Sequence, residues 1–273
     1  MMISFRNLLF LLFISLVSCD RNAITGRSQL SLFKESDLQA QALTQYQSFL
    51  GSNKVITQSN SKDAEMVIRV GQKIARAINT YYAAKGLSKE LDGYKWEFNL
   101  VNSNEINAWC MPGGKVVVYT GLLPVTQNET ALAIVLGHEI THAIAHHGNE
   151  RMSQAAVAQG LQIAGNAATQ NKEEVNKLFN NVFAPSAQVT FLLPNSRKQE
   201  YEADHFGLIF AAMAGYNPRE AISFWKRMSI VGGKKPPEFL ATHPSDENRI
   251  AQLEKYMPEA LSYFKKVESS GKD

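Results

Sequence analysis

Residues 137–142 read Gly-His-Glu-Ile-Thr-His, and no other stretch constrains the chain as tightly. Thr126-Gln127-Asn128-Glu129 reads as a capping box that opens a helix over these residues. The helix is predicted to run to about His147, with Gly148 just past its end. A spacing of four puts His138 and His142 on one helix face, one turn apart. Their ring nitrogens can then reach one ion at about 2 Å. Glu139 points about 100° around the helix from His138, beside such an ion rather than onto it. Two histidine ligands with a neighbouring base are what an HExxH hydrolase needs. The alternative is two helix histidines with an incidental Glu between them.

Two histidines leave zinc short of donors, since a catalytic site takes three protein ligands plus water. Six residues past His142, where some HExxH enzymes carry a third His, stands Gly148. His146 and His147 read as solvated or supporting residues, because one straight helix cannot wrap three histidines around a tetrahedral ion. A later helix offers Glu200-Tyr201-Glu202-Ala203-Asp204, with Glu200 and Asp204 on one face. Glu200 is the candidate third ligand. Asp204 is the candidate acceptor for the far nitrogen of a ligand His, fixing its tautomer. Glu202 points elsewhere on that helix. Taken alone, the segment also reads as an ordinary charged helix face.

The rest of the chain is mostly helical by period. Helices are predicted at about 36–49, 62–84, 150–183, 197–214, from Asn217-Pro218-Arg219-Glu220 onward, and 246–257. Strands are predicted at Tyr94 to Leu100, Asn107 to Met111 and Lys115 to Thr120, with Pro112-Gly113-Gly114 as a turn. The expectation is a mostly helical α+β domain over 36–268 with a small antiparallel sheet. The apolar, proline-bearing stretch 184–195, just before Glu200, reads as a lid. Residues 269–273 read as a frayed tail.

Arg6, the apolar run from Leu8 to Val17 and then Ser18-Cys19 describe a secretory signal over 1–18, too short to span a bilayer comfortably. A cysteine directly after the small residues resembles a bacterial lipobox. Cys19 would then be lipidated and begin the mature protein, tethered through 19–35. An uncleaved anchor helix or an ordinary signal are the alternatives. Cys110, the only other cysteine, has no disulfide partner once Cys19 is acylated and reads as a small apolar filler. A net charge of +3 gives no electrostatic case for nucleic acid.

With HExxH, then ExEAD some sixty residues later and Gly207 following, the chain resembles the zincin-like gluzincin metallopeptidases of family forty-eight, the HtpX and CAAX-prenyl-protease type. Within that family it resembles the lipid-anchored BepA-like and LoiP-like periplasmic branch. Thr25-Gly26-Arg27, Asn107-Ala108 with Pro112-Gly113-Gly114, Gly121-Leu122-Leu123, and Thr242-His243-Pro244 with Arg249 agree with it. The resemblance implies one zinc per chain on His138, His142 and Glu200, and Glu139 as catalytic base. It places His243 over the site, stabilising an oxyanion or capping the zinc at rest, with Arg249 in support. The extended segment Asn107, Ala108, Trp109 is expected to pair with substrate backbone. The implied activity is endoproteolysis of unfolded or misassembled envelope proteins at the periplasmic face. The alternatives are a non-cleaving chaperone-like lipoprotein and a zinc amidase acting on cell-wall peptides. The transmembrane helices and helical-repeat domain of some relatives are not visible, and the sequence specifies no oligomeric state.

Overall fold

A computed structural model describes residues 19–159, 172–183, 196–231, 239–240, 243 and 248–270. In chain order the elements are β1 (Cys19–Arg21), β2 (Ser28–Leu30), α1 (Glu35–Ser52), β3 (Val55–Ile56), α2 (Lys62–Ala84), β4 (Glu97–Val101), β5 (Ala108–Met111), β6 (Lys115–Tyr119), α3 (Leu123–Thr126), α4 (Glu129–Ile144), α5 (His147–Ala158), α6 (Lys172–Phe183), α7 (Ser196–Met213), α8 (Glu220–Val231) and α9 (Arg249–Ser270). The signal segment 1–18, the lid stretch 184–195, and Thr242 and Pro244 lie outside the described residues.

Alternation along β6 organises the core. Val116 and Val118 join one apolar cluster, and Val117 and Tyr119 join another. Successive strand side chains point to opposite faces, so a strand buried on both faces reads as a continuous apolar run. The first face carries α2, α4, α7, α8 and α9; the second carries α1, α5 and α6. The fold is mostly helical α+β, as expected. One pairing departs from an antiparallel sheet: the strand order is β3-β4-β6-β5, and β4 runs parallel to β6, Glu97 opposite Lys115. β5 forms a hairpin with β6, and its insertion on the far side of β6 brings β4 alongside in the same direction.

Asn128 is the working cap of α4, its Oδ1 accepting from the Ala131 N–H at 2.9 Å. From Ala131 to Ile144 every residue of α4 is buried, so the helix runs through the interior. It stops at Ile144, short of His147. His146 takes a left-handed φ of +54°, and α5 starts at His147 with Gly148 inside it. Residues 19–35, expected as a tether, are what closes this break. β1 and β2 pair as a hairpin, and Asn22 Nδ2 and Gln29 Nε2 donate to the Ala145 carbonyl at 3.0 and 2.9 Å. The unpaired carbonyls at a buried helix end need such donors. α9 also outruns its predicted end at Met257, passing through Pro258 to Ser270, with buried Leu253 and Ala260 packed on either side of the proline.

α4 and α7 meet backbone to backbone. A Cβ on Gly137 would fall 2.6 Å from the Gly207 oxygen, and one on Gly207 would fall 2.8 Å from the His138 nitrogen. Gly207→Ala gains up to about 1 kcal/mol of helix propensity but forces the helices apart, at about 1–3 kcal/mol for overpacking. The expected outcome is a net loss of stability and a melting temperature lower by a few degrees. An unchanged Tm would mean that the helices reseat freely.

Candidate metal centre

α4 supplies His138, Glu139 and His142; α7 supplies Glu200 and Asp204; His243 and Arg249 enter from the C-terminal region, all of them buried. The structure brings the sequence-predicted ligands together and adds His243 to them. One donor atom each from His138, His142, Glu200 and His243 lies within 4.8 Å of all the others. His138 Nε2 is 3.1 Å from His142 Nε2 and 3.2 Å from His243 Nδ1. Glu200 oxygens lie 3.4 Å from His138 Nε2, 3.4 Å from His142 Nε2 and 3.1 Å from His243 Nδ1. A tetrahedral ion with bonds of about 2.0–2.1 Å keeps its donors about 3.3–3.4 Å apart. The separations of 3.1–3.4 Å around His138 and Glu200 are close to that cage, and imidazole plus carboxylate is a donor set suited to zinc.

Charge at the site fits a cation too. Burial pushes the Glu200 carboxyl up, but the facing His243 and hydrogen bonds from His138 and His243 help hold the group well below the usual carboxylate range. His142 is driven down by burial and stays neutral, ready to donate a lone pair. Burial lowers His138 as well, yet Asp204 and Glu200 raise it to about 9. Glu139 is raised, first by burial. Its Oε1 has no hydrogen-bond partner among the described residues and lies 3.4 Å from His243 Nε2.

Asp204 lies against the far nitrogen of His138. Its Oδ1 lies 2.9 Å from His138 Nδ1 and accepts from Arg249 Nη2 at 2.7 Å. Arg249 also stacks over Trp225, 3.5 Å from the ring centre. The sequence reading had no signal for Trp225. His147, read as solvated or supporting, and Glu202, read as pointing away from the Glu200 face, meet behind His142. His147 is fully buried, with Nδ1 2.9 Å from His142 Nδ1 and Nε2 2.9 Å from Glu202 Oε2. Burial pushes His147 below its ordinary range, so the ring is neutral. Glu202 turns toward this ring and Arg27. His146 is half-buried beside Glu35, 3.1 Å away.

A groove runs past these residues, with Asn107 to Pro112 on one wall and Glu139, His142 and His146 on the other. The Tyr119 N–H donates to the Asn107 carbonyl, so Asn107, Trp109 and Met111 bond toward β6. The main-chain groups of Ala108 and Cys110 therefore face the open edge of β5, apart from the Ala108 N–H, which the Asn107 side chain takes. The Trp109 ring packs on Phe49 and Tyr46, on the opposite sheet face. Cys110 is partly buried against the larger cluster, and burial raises its thiol well above the ordinary range, in keeping with a filler.

Metallopeptidases are built this way, with a buried donor set drawn from two helices and an uncommitted carboxylate beside it. Comparison with known proteins agrees: the chain belongs to peptidase family M48, whose pattern matches residues 61–257. Over 188 residues it is 34% identical to the mitochondrial metalloendopeptidase OMA1 of Saccharomyces cerevisiae, covering 66% of this chain and 52% of that protein. Over 247 residues it is 31% identical to the mitochondrial metalloendopeptidase OMA1 of Homo sapiens, covering 87% and 46%. It is 29% identical over 169 residues to the beta-barrel assembly-enhancing protease of Yersinia pestis, covering 57% and 33%. The chain thus spans about half the length of the mitochondrial relatives. Among the described residues no helix is long and apolar enough to cross a membrane.

Proposed function

We propose that the chain is a zinc-dependent endopeptidase, with His138, His142 and Glu200 as ligands and Glu139 as general base. The observation that carries it is the gathering of four buried donor atoms within 4.8 Å of one another, with the unbonded Glu139 oxygen next to them. Zinc held there would supply Lewis acidity and a water of lowered pKa. Glu139 takes the proton as water attacks the peptide carbonyl and returns it to the leaving nitrogen, a role worth about a hundred- to ten-thousand-fold. Burial raises Glu139 toward the range a base needs. Asp204 and Arg249 hold His138 in its ligand tautomer. His243 fills the place a catalytic site keeps open, so the arrangement is a resting one. His243 swings aside before a carbonyl enters and can then stabilise the oxyanion. A substrate in extended form adds to the β5 edge, which reads main chain and so suits unfolded proteins. The test is cleavage of unfolded casein, set beside cell-wall fragments, with and without a chelator. Chelator-sensitive cleavage of casein is expected; casein left intact while cell-wall peptides are cut would sink the reading.

The substrates proposed are unfolded or misassembled proteins of a bacterial envelope, with the enzyme held at the periplasmic face by lipid on Cys19. The order of Arg6, the apolar run and Ser18-Cys19 supports the anchor, and the likeness to a beta-barrel assembly-enhancing protease of Yersinia pestis supports envelope-protein substrates. Cys19→Ser should move the protein from the membrane pellet to the soluble fraction of fractionated cells. Unchanged membrane retention would count against the anchor.

Metal uptake should depend on pH with a definite sign. In the metal-free protein His138 is raised from its ordinary 6.5 to about 9, so below that pH an incoming metal must displace its proton. Apparent affinity should rise roughly tenfold per pH unit from 7 toward 9. The metal-free fold has the opposite slope. Its contribution from protonated His138 is full below 6.5 and fades as pH rises through about 9. Chelator-competition titrations at pH 7 and 8.5, with melts of the metal-free protein, check both signs.

A further inference from the structure

His138 is backed by a short chain of contacts that ends on an arginine: Asp204, then Arg249. His142 has a longer counterpart. Its Nδ1 lies 2.9 Å from His147 Nδ1, and His147 Nε2 lies 2.9 Å from Glu202 Oε2. Glu202 is bound in turn by Arg27, Nε to Oε1 at 2.6 Å and Nη2 to Oε2 at 3.1 Å. The same guanidinium grips Glu150 with both terminal nitrogens, at 2.6 and 2.7 Å, and Gln199 donates to Glu150 at 2.7 Å. Glu150 is 2% exposed, so this fork is anchored in the interior. Arg27 belongs to neither helix of the metal centre; it lies in the β1–β2 loop, 115 positions before His142 by residue number.

The protons run one way along this chain. For His142 to offer Nε2 to a metal, its proton sits on Nδ1 and is donated to His147 Nδ1. With its Nδ1 accepting, His147 carries a proton on Nε2 and gives it to Glu202, 2.9 Å away. An anionic Glu202 accepts that proton, and Arg27 keeps Glu202 anionic and fixed. If Glu202 turned away, His147 could adopt the other tautomer, and two N–H groups would face each other across 2.9 Å.

We infer that the N-terminal hairpin is a working part of the metal centre: Arg27, acting through Glu202 and His147, is a positioning residue that holds His142 in its metal-binding tautomer and orientation. Loss of the Arg27–Glu202 contact would loosen the grip on metal without touching a ligand. This rests on the metal reading given above.

The test uses the full chain and reads metal affinity by chelator competition, the visible spectrum of the cobalt-substituted protein, and the Tm of the metal-free form. Arg27→Leu removes the end of the chain, and Glu202→Gln replaces its anion with an isosteric amide. Asn22→Ala is the control, since Asn22 fastens the same hairpin to Ala145 but takes no part in the relay. Arg27→Leu and Glu202→Gln should each weaken metal binding roughly ten- to a hundredfold and shift the cobalt spectrum. Asn22→Ala should lower Tm and leave affinity within about twofold, and Arg27→Lys should recover part of the loss. Should Arg27→Leu fail to fold, Glu202→Gln decides. Affinity and spectrum unchanged in the variants, or weakened equally by Asn22→Ala, overturn the inference. A native protein that takes up no metal overturns the metal reading instead.

Discussion

Glu139→Gln should cut peptide hydrolysis by about a hundred- to ten-thousand-fold while metal content and Tm stay close to native. The amide has the volume of the carboxylate, so the packing around this residue, 3% exposed, is kept. What is lost is a proton acceptor. Glu139 Oε1 is bound by no donor among the described residues, so no fixed hydrogen bond is broken by the change. A structural residue at such a depth would be satisfied by a partner; this one is left able to take a proton. The measurements are initial rates on casein, metal per chain by elemental analysis, and a thermal melt. Full activity in the variant would remove Glu139 from the base position, whatever the metal content.

Glu200→Gln is expected to do the reverse, emptying the site first. Glu200 is the only carboxylate among the four clustered donors and lies within reach of His138, His142 and His243. Losing its charge leaves a cation caged by neutral rings, with Arg249 3.4 Å from the same carboxylate position. Metal content after dialysis should fall to a small fraction of one per chain, with activity falling in step. Excess zinc should restore part of the activity, which it cannot do for Glu139→Gln. Stoichiometric metal in the dialysed variant would show that Glu200 is not a ligand.

These two residues were legible in the sequence because the geometry that matters is local. His138 with His142, and Glu200 with Asp204, are each four apart on one helix, and helical period alone puts each pair on one face. Joining the two pairs needed the tertiary fold, which the spacing along the chain does not give. His243 and Arg249 were placed by resemblance rather than by pattern, since a lone histidine ahead of a helix has no period. The relay from Arg27 was illegible for a plain reason. Its contacts join residues 175, 123 and 55 positions apart. The break between α4 and α5 was missed because the left-handed residue there is His146 and not Gly148, the usual signal for a stop. The parallel pairing of β4 and β6 is set by which side of β6 receives β5, and strand propensity says nothing about that choice.

The bare contact between Gly137 and Gly207 has a thermal consequence. Protein interiors are close-packed and transmit strain, and here two main chains approach with no side chain between them to repack. The gap separating the histidine helix from the glutamate helix should therefore hold its width until the domain melts. Metal should leave in one step at the melting transition, with no slow leak beforehand.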